Sequence, residues 1–187
     1  GVRARRNLKQ TVASSNKRKP ASSRRVLPFL ENAGRLAGPH HKRVPMSTFI
    51  PFTSDVEIIA IGHGLVDRTL PKINWTHAAH FATALWLIET GAGSTVPAVI
   101  RAYNESIGVA NTDNSGYHET ITQASMRAAD TFQNARKHLP LFRVCNDLLV
   151  SYLGRSDWLL IYWSREVLFS IEARKEWVEP DIRPLPF

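Results

Sequence analysis

Residues 75–91 read WTHAAHFATALWLIETG, and this stretch decides the fold. Asn74 or Thr76 is positioned to cap a helix that runs from about Trp75 to Thr90, and Gly91 is positioned to stop it. Between cap and stop, Ala78, Ala79, Phe81, Ala82, Ala84, Leu85, Trp86, Leu87 and Ile88 occupy every side of the helix. A helix without a polar face belongs in the middle of a bundle. The elements on either side are therefore expected to be helices that cover it.

Upstream, Ser54-Asp55-Val56-Glu57 has the form of a capping box and opens a helix that reaches about Arg68. Gly62 and Gly64 weaken that helix, and Leu70-Pro71 ends it. Downstream, Ser94 or Thr95 caps a third helix with Pro97 in its first turn, running to about Ile107. A polar loop spans Gly108 to Gly116. Asn114 or Ser115 then caps a fourth helix, whose Tyr117, Ile121, Ala124, Ala128 and Phe132 form one apolar stripe. A fifth covers about Leu141 to Leu153. A sixth begins near Ser156-Asp157 and carries Trp158, Leu159, Tyr162 and Trp163. Residues 177–187 contain three prolines and read as an extended strap. Strand signals are weak throughout. The expected class is all-α: a compact bundle of about six helices, with a disordered basic N-terminal segment and an extended Pro-rich C-terminal strap.

The net charge of +8 conceals an uneven distribution. Residues 1–45 carry about +11, with Glu31 their sole acid, whereas residues 46–187 carry about −3. The basic segment is rich in Arg, Lys, Ser and Pro and cannot bury enough apolar surface to offset its ordering entropy. Two units follow, a leader over 1–45 and a single helical domain over 46–187. The leader admits three readings: an organelle transit peptide, a basic arm that binds nucleic acid through phosphates, or sequence that is not native coding, since the first methionine is Met46. The third is preferred. Nucleic acid is then no expected partner of the domain, and would become one only if the leader is native.

Cys145 is the only cysteine, which excludes an internal disulfide and a Cys-based zinc site. Its apolar neighbours, Leu141, Phe142 and Val144, point to a buried thiol. No run approaches the ~20 apolar residues of a membrane span, and no secretory signal opens the chain, so the expected setting is cytoplasmic.

Chemistry-bearing side chains concentrate in two places. His77 and His80 stand at i and i+3 in the central helix, a spacing that lets both rings approach one metal ion. His118 and Glu119 open the fourth helix, where the positive helix end disfavours imidazolium and keeps the ring neutral. Glu119 is a candidate ligand, general base or carboxylate orienting an imidazole. The competing reading makes the histidines core residues satisfied by carbonyls, with His118 merely assisting a helix start. The H-x-x-H spacing alone is weak, and it is not the zinc-protease H-E-x-x-H, because Ala78 stands where that motif has glutamate.

The pair WTHAAH (75–80) and GYHETIT (116–122) resembles a family of small bacterial all-helical proteins without an established activity. In that family an aromatic-x-His-x-x-His opens one helix and a Tyr-His-Glu-Thr another. The stretches AYNESIGVANT (102–112) and SREVLFSIEAR (164–174) resemble one branch of it. The resemblance covers roughly residues 74–187 and implies that His77, His80, His118 and Glu119 belong to one site. Its reaction stays open.

Tyr103, Asn104, Asn111 and Tyr117 flank the polar loop as candidate lining for a small polar ligand, against the alternative that Asn residues there build turns. His63 between two glycines is a further candidate. Arg165 and Glu166 read as an ion pair or a solvated face. No G-x-S-x-G, G-x-G-x-x-G or Walker-type loop is present, so a hydrolase elbow and these nucleotide folds are unsupported. Two functions compete. One is a small metal-dependent enzyme, with zinc, iron or manganese on His77, His80 and His118 and Glu119 as ligand or base. The other is a non-catalytic helical module for a small ligand or partner, whose histidines form a structural polar network.

Overall fold

In a computed structural model, which describes residues 50–187, the stretch at 75–91 folds as expected. Helix α2 spans His77–Glu89 after Thr76, whose Oγ1 accepts the Ala79 N–H at 3.2 Å, and Gly91 follows with φ +74°. It packs against α1 (Asp55–Val66), α4 (Glu119–Asn134) and α5 (Leu141–Val150). α3 (Val96–Ser106) lies on α1, with Pro97 in its first turn. Two short helices, α6 (Arg165–Leu168) and α7 (Ile171–Lys175), complete the set. Among the described residues there is no strand, only an isolated bridge between Thr112 and Ser115. None of these helices is long and apolar enough to cross a membrane. The expected leader, with its proposed nucleic-acid and targeting roles, and the boundary at Met46 lie outside the described residues.

The glycines of α1 have a packing reason. A Cβ on Gly62 would lie 2.1 Å from the Trp86 ring, so its absence lets α1 and α2 approach closely. Helix propensity yields there to contact. The expected capping box is shifted by one residue. Ser54 makes no side-chain cap, and Glu57 instead accepts from the N–H and hydroxyl of Thr53. Asp55 serves another helix: its Oδ1 accepts the Phe142 N–H at 2.7 Å, capping α5, whose own N-cap is Pro140. Asn146 holds Phe52 by both backbone groups, at 3.0 and 2.8 Å.

The largest departure from expectation is the sixth helix. Residues 158–161 form a 3-10 turn, and the chain restarts twice, at Ser164 and Ser170, whose hydroxyls accept the Val167 and Ala173 N–H groups. Each serine offers a local cap that competes with continuing the previous helix. The aromatic residues expected there are nevertheless core: Trp158 and Trp163 are fully buried, and Trp163 Nε1 donates to Val178 O at 3.0 Å. Residues 176–187 have neither helix nor strand. The buried Thr120 hydroxyl donates to Glu176 O and accepts from Val178 N, while Ile182 N bonds Tyr162 O. Cys145 lies in the main core, where burial pushes its thiol up to about 12.

Candidate functional site

Two cavities of about 480 and 470 Å³ adjoin along α2, α3 and α4. They share His80, Ile100, Ile121, Thr122 and Phe169, so one groove runs through both. The first continues between Phe81, Ala84, Met126 and Trp158, with His77 on its wall. The second extends past Trp75, Asn104, Tyr117 and His118, and it carries two cations, Lys72 and Arg174.

His77 and His80 reach this groove because Thr76 starts α2 and leaves both in its first turn. His77 Nε2–H donates to Leu153 O at 3.3 Å, which leaves Nδ1 free. His80 Nδ1–H donates to Thr76 O at 2.7 Å, and its ring stacks on Trp75 with centroids 3.7 Å apart, which leaves Nε2 free. Loss of hydration lowers both imidazoles below the ordinary histidine range, and the neighbouring His77 adds to the effect at His80. Both rings are therefore neutral near pH 7.

His118 has a different role. The bridge between Thr112 and Ser115 keeps the polar loop going past Asn114, so neither Asn114 nor Ser115 caps α4. The cap is His118 itself: Nδ1 accepts the Ile121 N–H at 3.4 Å, and Nε2–H donates to Leu168 O at 2.9 Å. Burial, reinforced by the nearby Arg174 charge, lowers the imidazole to about 4. With one nitrogen donating and the other accepting, the neutral ring has no lone pair left for a metal.

Glu119 follows the cap and turns away from the groove, about 100° around the helix. Its carboxylate lies 3.5 Å from Arg101 and accepts from Gln123 at 2.8 Å, and it lines neither cavity. Among the described residues no three His, Cys, Asp or Glu side chains converge as metal ligands do. The expected centre of His77, His80 and His118 with Glu119 is thus not assembled: all three imidazoles line the groove, but the third is consumed as a cap and the carboxylate is paired elsewhere. The three-imidazole set expected for a zinc, iron or manganese ion is not gathered among the described residues.

The four expected pocket residues divide. Asn104 and Tyr117 line the second cavity. Asn111 stands behind them as a clamp: its Oδ1 accepts from Asn104 Nδ2 and Tyr117 N, both at 3.0 Å, and its amide donates to Arg101 O. Gly116 makes room for that clamp. It has φ +76°, and a Cβ would fall 2.6 Å from Ala110 O and 2.7 Å from Asn111 Oδ1. Tyr103 is fully buried away from the groove and donates to Leu70 O at 2.9 Å. His63 rests on Trp86, 4.8 Å between centroids, outside both cavities. Arg165 and Glu166 are both exposed and make no ion pair with each other, and Arg165 lines the first cavity.

Lys72, Arg174 and Phe169 escaped the sequence reading. A lone lysine after proline and an arginine in a last helical turn look like ordinary surface charge, the latter matching the helix dipole. The one available signal was Arg174 closing the SREVLFSIEAR stretch. Compared with protein families, curated proteins and solved structures, the chain matches none.

Proposed function

We propose that this domain is a non-catalytic small-molecule binding module whose ligand lies in the groove between α2, α3 and α4. One observation carries the reading: two adjoining cavities, each within the ~300–1,000 Å³ range of small-ligand sites, joined through shared walls. Their lining is mostly apolar, with a few polar groups placed among it, the usual composition of a site that binds by burial and orients by hydrogen bonds. His77 and His80 enter this reading as neutral polar groups with one free ring nitrogen each. His118, Asn111 and Glu119 enter it as the polar framework that fixes the start of α4 and the wall it forms. The enzyme reading lacks comparable support, because it needs three imidazoles around one ion and a free carboxylate beside them.

Calorimetric titration of the full chain with 1-decanol tests the proposal. Saturable binding with one-to-one stoichiometry and a negative heat-capacity change is the expected result. Absence of saturable binding by 1-decanol would remove the proposal.

A further inference from the structure

The two cavities differ in their cations. The first has Arg165 alone, at its exposed rim, and its Asp157 is paired with Arg155 at 2.9 Å. The second has no acid on its wall, and neither Lys72 nor Arg174 has a carboxylate within ion-pair distance among the described residues. Arg174 is anchored rather than loose. Its Nη1 donates to Gly116 O at 3.3 Å and Tyr117 O at 3.1 Å, which uses two of its five N–H groups and leaves Nε–H and Nη2. A guanidinium held by one edge loses little freedom when the other edge binds an anion.

A second feature is independent of the charges. Tyr117 lines the same cavity, is 3% exposed, and its buried hydroxyl has no hydrogen-bond partner among the described residues. It lies beside Thr122 and Glu119 without reaching bonding geometry with either, and burial raises its pKa so that it keeps its proton. A buried donor without an acceptor is costly unless something else supplies one.

We propose that the second cavity is a carboxylate subsite, in which Arg174 and Lys72 hold the head group of an amphipathic acid while its apolar body runs past His80 into the first cavity. Tyr117 forms part of the same wall. A planar carboxylate suits the free edge of one guanidinium, and the apolar walls of Trp75, Ile107 and Phe169 suit a ligand with little other polarity. The inference rests on the groove being a ligand site and adds the chemical class of the ligand.

Calorimetric titrations of the full chain with decanoate, 1-decanol and decyl phosphate at neutral pH test it. Decanoate is expected to bind at least about tenfold more tightly than 1-decanol, the margin of a charge-assisted pair in a partly desolvated site. Arg174→Gln should abolish that margin, bringing decanoate affinity down to that of 1-decanol. Should Arg174→Gln fail to fold, Lys72→Gln, at an exposed position, should reduce the margin by about threefold. Equal affinities for decanoate and 1-decanol, or equal losses of both in Arg174→Gln, would overturn the carboxylate subsite while the groove stood. Tighter binding of decyl phosphate than of decanoate would overturn it in favour of phosphate esters. If 1-decanol did not bind, the groove reading would fail and take the subsite with it.

Discussion

The two sides of α2 both carry apolar residues and do different things in the structure. On one side Trp86 meets Gly62 of α1 so closely that no Cβ fits between them, and Leu85 is fully buried among core residues. On the other, His77, His80, Phe81 and Ala84 form the wall of a groove. The difference comes from what faces each side. α1 brings a glycine to the contact, whereas the opposite face meets a chain broken at Ser164 and Ser170 into short pieces that leave a cavity. A helix that is apolar all round is thus placed at the centre of a fold without being packed equally on all sides.

Substitutions on the closed side should have the largest effect. Leu85→Ala is expected to cost about 3 kcal/mol, the usual penalty for a buried leucine whose site cannot collapse. Gly62→Val should cost a similar amount, about 3 kcal/mol, by overpacking against Trp86. Urea unfolding monitored by circular dichroism checks both, and a loss under about 1 kcal/mol in either would show that the closed face is loosely packed.

Next in size is the loop that presents the second cavity. Gly116→Ala places a Cβ against Ala110 O and Asn111 Oδ1 at a positive φ, for an expected loss of about 2 kcal/mol. Unchanged stability in the same denaturant series would mean that the Asn111 clamp is dispensable.

Acid should act through His118. Its imidazole titrates near 6.5 in the unfolded chain and at about 4 in the fold, so below pH 6.5 the unfolded chain takes up the proton first. Stability is complete above that pH, falls as pH drops by about 1.4 kcal/mol per unit, and levels off below the folded value. His77 and His80 act in the same direction. His118→Asn keeps a good N-cap residue without a titrating ring and should remove its share of the slope. An unchanged slope in that variant would contradict the role of His118 as a neutral cap.

The smallest stability effect belongs to the open side. Ala84→Leu projects into the first cavity and should change stability by less than about 1 kcal/mol, because there is room for the added atoms. It should nevertheless weaken 1-decanol binding strongly, measured by the same calorimetry. A large stability loss with binding intact would reverse the assignment of the two faces.

Much of the fold was legible. The central helix, its Thr76 cap, Pro97 in α3 and the buried tryptophans followed from local pattern, because caps and periodicity are properties of neighbouring residues. The breaks after Trp158 were not, because a serine cap competes with helix continuation only once the tertiary contacts are fixed. The site was half legible. His77, His80, His118, Asn104 and Tyr117 all reach the groove. The arrangement of the site differs from the expected ligand set through hydrogen bonds that spacing does not reveal: His118 to Leu168, fifty residues away, and Asn111 to Tyr117 across the loop. Lys72 and Arg174 meet only through tertiary structure, so no local pattern links them.

The groove side of α2 is the proposed binding face. Amide chemical-shift mapping of the full chain during titration with 1-decanol tests this most directly. The predicted result is a set of shifts concentrated at His80, Phe81 and Ala84 and at Ile121, Thr122 and Met126, with Gly62 and the α5 residues around Cys145 unmoved. Saturating shifts centred on Gly62 and Cys145, or none at all, would contradict it.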